Sequence, residues 1–178
     1  CFVWGLPGER QLPKAAETDP KYKNKTENSK ITSEKVKSFK SLVNFDPEKF
    51  KILLPGRLTR WKGHEMFIES LFILKTKYGK ENFQAVILGS DQGRKVYFKK
   101  LISMIDKYSL KSNVFFLQHA KEMPVAYYIS DVVVSSSIEP EAFGRVSVEA
   151  QAMRRPILAS DHGGSKETII NGKSGFLF

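Results

Sequence analysis

Ser135-Ser-Ser-Ile-Glu-Pro-Glu-Ala-Phe-Gly-Arg-Val-Ser-Val-Glu149 is the stretch on which the reading of this chain turns. It follows Val132-Val133-Val134, a β-branched apolar run with the character of a buried strand, and leads into a helix expected through Glu149-Ala150-Gln151-Ala152-Met153. A strand that ends in small polar residues and a glycine, followed by a helix N-terminus, is where an open α/β sheet places a ligand. The free backbone N–H groups of such a helix start suit an anion, most often a phosphate. Glu141 and Glu149 frame the segment, and a carboxylate offers only acceptors, so each can take a pair of vicinal hydroxyls. The pattern suits a ligand with hydroxyls at both ends and negative charge between them.

Outward from this stretch, strand and helix patterns alternate. A helix is expected over Ser33–Asn44, with Ser33 as N-cap and Val36, Phe39 and Val43 on one face. Lys51–Leu54 reads as a short strand closed by Pro55-Gly56, and the helix after it carries Phe67, Leu71, Leu74 and Tyr78 on one stripe. Phe83–Gly89 is the next strand, followed by a long helix marked by Val96, Leu101, Ile105 and Tyr108. Asn113–Leu117 and Asp131–Ser135 are strands with a short helix over Pro124–Ser130 between them. Pro156–Ser160 is another strand, and a helix begins at Gly163-Gly164-Ser165. This alternation predicts an α/β fold: a doubly wound parallel sheet with helices on both faces and a ligand crevice at the C-terminal ends of its strands.

Two cations fall at the same predicted edge, in Gly56-Arg57-Leu58-Thr59-Arg60-Trp61-Lys62-Gly63. The Arg57 guanidinium offers a bidentate fork and the Lys62 ammonium a point charge, complementary partners for two phosphates. Two solvated cations beside a turn are the plainer alternative. The loop lacks the G-x4-G-K-[ST] spacing of a P-loop.

Taken together, Glu141-Ala-Phe-Gly-Arg-Val-Ser-Val-Glu149-Ala-Gln-Ala-Met, the Gly-Arg-Leu turn and the Lys-Gly pair resemble the donor-binding half of the retaining GT-B glycosyltransferases, family 4 or group 1, over residues 33–178. The resemblance implies a Rossmann-like half of a GT-B fold that binds a nucleoside-diphosphate sugar. It gives catalytic roles to Arg57, Lys62 and Glu141, the first two on the donor diphosphate and the third on the transferred sugar. Glu149 would accept the ribose hydroxyls, while Gly56, Phe143, Gly144 and Arg145 line the donor. The base would lie against Leu117 and His119. The family often has Leu or Ile where Arg145 stands, and commonly Gly where Gln118 stands, which leaves the base open. Gly163-Gly164 resembles the family's Gly-Gly-x-x-Glu turn, and Gly164 reads as serving the strand-to-helix turn.

The implied activity is transfer of a sugar, with retention, to a polysaccharide, lipopolysaccharide or glycolipid acceptor. No cofactor is expected, and Arg57 and Lys62 would stand in for a metal: no Asp-x-Asp is present, and His64, His119 and His162 have no Cys or His companion at zinc spacing. Acceptor contacts would come from an N-terminal domain outside this chain, so the chain alone is expected to be inactive in transfer. A nucleotide-sugar 2-epimerase on the same scaffold and a basic nucleic-acid-binding module are the alternatives. The first would carry other acid/base residues. The second would show aromatics among exposed cations, whereas Phe67, Phe83 and Phe116 fall on core patterns, so no nucleic acid is expected.

Composition sets the outer bounds. The chain has 178 residues, 41% of them hydrophobic, which is one globular domain with room for a core. Its longest apolar runs, such as Ala85–Leu88, are too short to cross a bilayer. A formal net charge of +10 calls for an anionic partner, a phosphorylated ligand or an anionic membrane surface among them. The single Cys, Cys1, forms no intrachain disulfide, which fits a cytoplasmic location, at the inner face of the membrane for a glycolipid acceptor. Residues 1–32, rich in Pro, Lys, Asn and Thr, read as a linker or poorly ordered segment. Gly175-Phe-Leu-Phe178 reads as a strand entered and cut, the pattern of a piece of a longer protein.

Overall fold

The computed structural model describes residues 31–118 and 123–178. The linker expected over residues 1–32 therefore lies outside the described residues, apart from Ile31 and Thr32. Helix α1, Ser33–Leu42, begins where the sequence places it, but Thr32 and not Ser33 is its cap: the Thr32 hydroxyl accepts from the Lys35 N–H at 3.3 Å. The elements that follow are β1 (Phe50–Pro55), α2 (His64–Thr76), β2 (Phe83–Leu88), α3 (Lys95–Lys107), β3 (Val114–Leu117) and α4 (Met123–Ile129). The chain continues through β4 (Val132–Ser135), α5 (Arg145–Ala152), β5 (Ile157–Ala159), α6 (Gly164–Thr168) and β6 (Phe176–Leu177).

All strand pairs are parallel, and the six strands run in the order β3-β2-β1-β4-β5-β6. Parallel strands buried on both faces need apolar side chains at successive positions, and β1 shows why its Ile-Leu-Leu run is unbroken. Ile52 and Leu54 point into one core with Ile68, Leu71 and Leu101, while Leu53 between them points into a second core with Val125, Tyr127 and Val133. Helices α2 and α3 supply the first core; α1, α4 and α5 supply the second. The expected doubly wound sheet with helices on both faces is therefore present.

The split between faces follows from connection handedness. Right-handed crossovers from β1 outward to β3 put α2 and α3 on one face. The return from β3 to β4 reverses direction, so α4 and the helices after it lie on the other. The reversal falls between β1 and β4, where the loops at the strand ends part and leave a crevice.

Two expected helix stripes are corrected. On α3 the buried set is Tyr97, Leu101 and Ile105, at strict four-residue spacing, and Val96 is 85% exposed because it sits about 100° around the helix from Tyr97. Helix α2 ends at Thr76, so Tyr78 lies beyond it and is exposed, while Phe67 and Leu71 are buried as expected. Phe83 is buried and Phe116, partly buried, packs against the same core. Among the described residues no helix is long and apolar enough to cross a membrane.

A cavity of about 830 Å³ lies away from the crevice. It is an apolar groove beside α2 over β1, β4 and β5, lined by Met66, Leu74, Val132, Leu158 and Phe178 among others. On that face β4 and β5 carry no helix among the described residues.

Candidate functional site

The crevice is built from three loops that touch backbone to backbone. Gly63, in left-handed conformation at φ 70°, closes the β1 loop and caps α2; a Cβ there would lie 1.8 Å from the Ser136 carbonyl oxygen of the β4 loop. Gly164, after β5, would place a Cβ 2.3 Å from the Phe143 carbonyl carbon, and its N–H donates to the Glu141 carbonyl at 2.7 Å. Gly164 thus serves more than the strand-to-helix turn that the sequence reading gave it. The absence of a side chain lets the β5 loop rest on the segment that carries Glu141.

That contact fixes Glu141 over the end of β4. Its Oε1 accepts from the Lys62 ammonium at 2.6 Å, from the Ser137 hydroxyl and from Ser135 Oγ at 3.5 Å. The Lys62 and Glu141 side chains are 11% and 14% exposed, so the pair is shielded but not sealed. Burial alone pushes the Glu141 carboxyl up, but hydrogen bonds from Lys62 and Ser137 and the charge of Lys62 outweigh it and hold its pKa below the usual value. Three donors converge on Oε1 and none on Oε2 among the described residues, so the second oxygen retains its acceptor capacity there. The ammonium likewise spends one of three protons on Glu141.

Lys62 also lies 4.5 Å above the Trp61 ring, and the exposed Arg57 guanidinium stands 6.0 Å from the same ring. The two cations thus share one indole at the mouth of the crevice. Among the described residues Arg57 makes no ion pair with either glutamate.

Helix α5 starts at Arg145, four residues earlier than the stretch where the sequence reading began it, with Gly144 as a left-handed N-cap at φ 67°. Glu149 is therefore just over one turn into the helix. It is not joined to Lys62 or Arg57: its Oε2 accepts from the Tyr127 hydroxyl at 2.7 Å. Phe143 is exposed at the loop tip, and Arg145 is the exposed first residue of α5. Gly56 begins the β1 loop, its N–H donating to the Leu88 carbonyl. Leu117 ends β3 and packs against the second core. His119 lies outside the described residues.

Three residues of this constellation escape sequence reasoning. Ser135 and Ser137 alternate along the strand end on the side facing Lys62, and that alternation was the available signal. Tyr127 is 22 residues from Glu149 and on another helix, so nothing local announces it. Among the described residues no cluster of three or more His, Cys, Asp or Glu side chains has the arrangement of a metal site.

A six-stranded parallel sheet with a charged crevice at its switch point defines the Rossmann-like half of a GT-B glycosyltransferase fold. The chain belongs to the family described as Glycosyl transferases group 1, whose sequence profile matches residues 36–178. It is 32% identical over 142 residues to the D-inositol 3-phosphate glycosyltransferase of Paenarthrobacter aurescens, covering 78% of this chain and 34% of that protein. The crystal structure of a glycosyltransferase from Rickettsia africae superposes with a TM-score of 0.76 at 32% identity, over 83% of this chain and 38% of that one. Anabaena HepE in complex with UDP and glucose superposes at 0.73 and 28% identity, over 84% of this chain and 39% of that one. The chain thus spans about a third of the length of the curated relative it matches.

Proposed function

We propose that this chain is the donor-binding half of a retaining glycosyltransferase that takes a sugar from a nucleoside diphosphate to a polysaccharide, lipopolysaccharide or glycolipid acceptor. The observation that carries the reading is the Lys62–Glu141 pair, 2.6 Å apart and shielded, at the point where strand order reverses. The UDP and glucose bound by Anabaena HepE support a nucleotide sugar as the ligand class.

In this reading the two remaining Lys62 protons and the Arg57 fork meet the diphosphate. Breaking the bond between the anomeric carbon and the β-phosphate oxygen puts negative charge on the leaving group, and fixed cations already in place lower that barrier. The free Oε2 of Glu141 accepts sugar hydroxyls, and the first N–H groups of α5, at Gly144 and Arg145, face the β-phosphate. Glu149 accepts from the ribose, and the base lies toward Leu117 and His119. The acceptor site belongs to a further domain, so the chain binds donor without transferring sugar by itself.

Calorimetric titration with UDP and GDP tests the reading. Micromolar to submillimolar binding of at least one is expected, with Lys62→Ala weakening it by tenfold or more, about 1.4 kcal/mol. No heat with either nucleotide, on chain shown to be folded, refutes it.

A further inference from the structure

Tyr127 lies on α4, a different helix from the one that carries Glu149. Its ring is 2% exposed and packs in the second core among Val125, Val133 and Ala150. Its hydroxyl nevertheless emerges beside α5 and donates to Glu149 Oε2 at 2.7 Å. Glu149 is otherwise exposed, with the rotamer freedom of any surface glutamate. No other hydrogen bond or ion pair is recorded for its carboxylate among the described residues.

We propose that Tyr127 is the positioning residue for Glu149: a buried phenol that pins one carboxylate oxygen so that the other is held ready for the ribose hydroxyls. This rests on the nucleotide reading above and adds a residue to it. A carboxylate that accepts two vicinal hydroxyls must present its plane at one orientation, and a free glutamate loses side-chain entropy on adopting it. A ring locked in the core fixes the orientation in advance, as outer hydrogen bonds do for metal-binding side chains. Burial, then the charge of Glu149 and the hydrogen bond to it, push the Tyr127 hydroxyl well above the ordinary tyrosine value. The phenol therefore keeps the proton that it donates to Glu149 across the working pH range.

Tyr127→Phe removes the hydroxyl and keeps the ring. Titrations of the unaltered chain and of this variant with UDP and with 2′,3′-dideoxy-UDP separate positioning from packing. The unaltered chain is expected to prefer UDP by tenfold or more. The variant is expected to lose about tenfold in UDP affinity and change less than twofold toward the dideoxy nucleotide, so that most of the preference disappears. An undiminished preference in Tyr127→Phe overturns the role of Tyr127 while leaving the nucleotide reading intact. Failure of the unaltered chain to bind either nucleotide overturns both. Should Tyr127→Phe not fold, 3-fluorotyrosine placed at position 127 gives a second measurement. A fluorine resonance that moves with UDP and not with the dideoxy nucleotide supports the proposal, and one unmoved by both refutes it.

Discussion

Glu141 keeps its charge where burial alone would tend to remove it, and His64, two residues beyond Lys62, shows the opposite outcome. The His64 ring is fully buried under the β1 loop, with Nδ1 3.3 Å from the Thr59 carbonyl and Nε2 lacking a partner among the described residues. Burial, only partly offset by the Thr59 carbonyl, lowers its pKa from 6.5 to about 4. An unfolded chain takes up a proton at His64 below pH 6.5, which the folded chain refuses until about pH 4. The neutral ring's contribution is therefore complete above pH 6.5 and declines as the pH falls toward 4, by up to about 3 kcal/mol. Glu141 acts in the window below: its folded pKa lies under 4.5, so its contribution is present above that value and is lost as the pH falls through the lowered one. Melting temperatures between pH 7.5 and 5 should fall in the unaltered chain and fall distinctly less in His64→Leu. Parallel curves would remove His64 as the cause.

At the scale of elements, the loops are held by missing side chains. Gly63→Ala puts a Cβ within 1.8 Å of the Ser136 carbonyl oxygen, in a conformation that already disfavours alanine. Gly79→Ala, at φ 60° with nothing within 4 Å, carries the conformational cost alone. Urea melts should show a loss of about 1 kcal/mol for Gly79→Ala and at least about 3 kcal/mol for Gly63→Ala. Equal losses would mean that the β1 and β4 loops part easily. Element existence was legible in the sequence because apolar periodicity is local: Ile52–Leu54, Val132–Val134 and Leu101/Ile105 each declare themselves. What periodicity does not encode is which residue of a helical stretch meets the sheet, so the spacing points to Val96 where Tyr97 is the buried residue. Nor does it encode the helix start at Arg145, which the left-handed Gly144 sets. In the crevice, Glu141 and Lys62 were legible as a spaced pair of motifs, whereas Tyr127 depends on how α4 packs beside α5.

For the whole molecule, a formal net charge of +10 favours anionic ligands in general. If Arg57 and Lys62 carry the diphosphate charge, UDP affinity should be unchanged within twofold after EDTA treatment. A tenfold loss restored by added magnesium would place a metal between nucleotide and protein. The contacts at Gly63 and Gly164 bring the main chains of the turns after β1, β4 and β5 together, and the Ser136 hydroxyl ties the first two by donating to the Lys62 and Gly63 carbonyls. Such a junction has no compressible layer and works like masonry laid without mortar. A ligand seated against these turns would meet main chain of fixed shape.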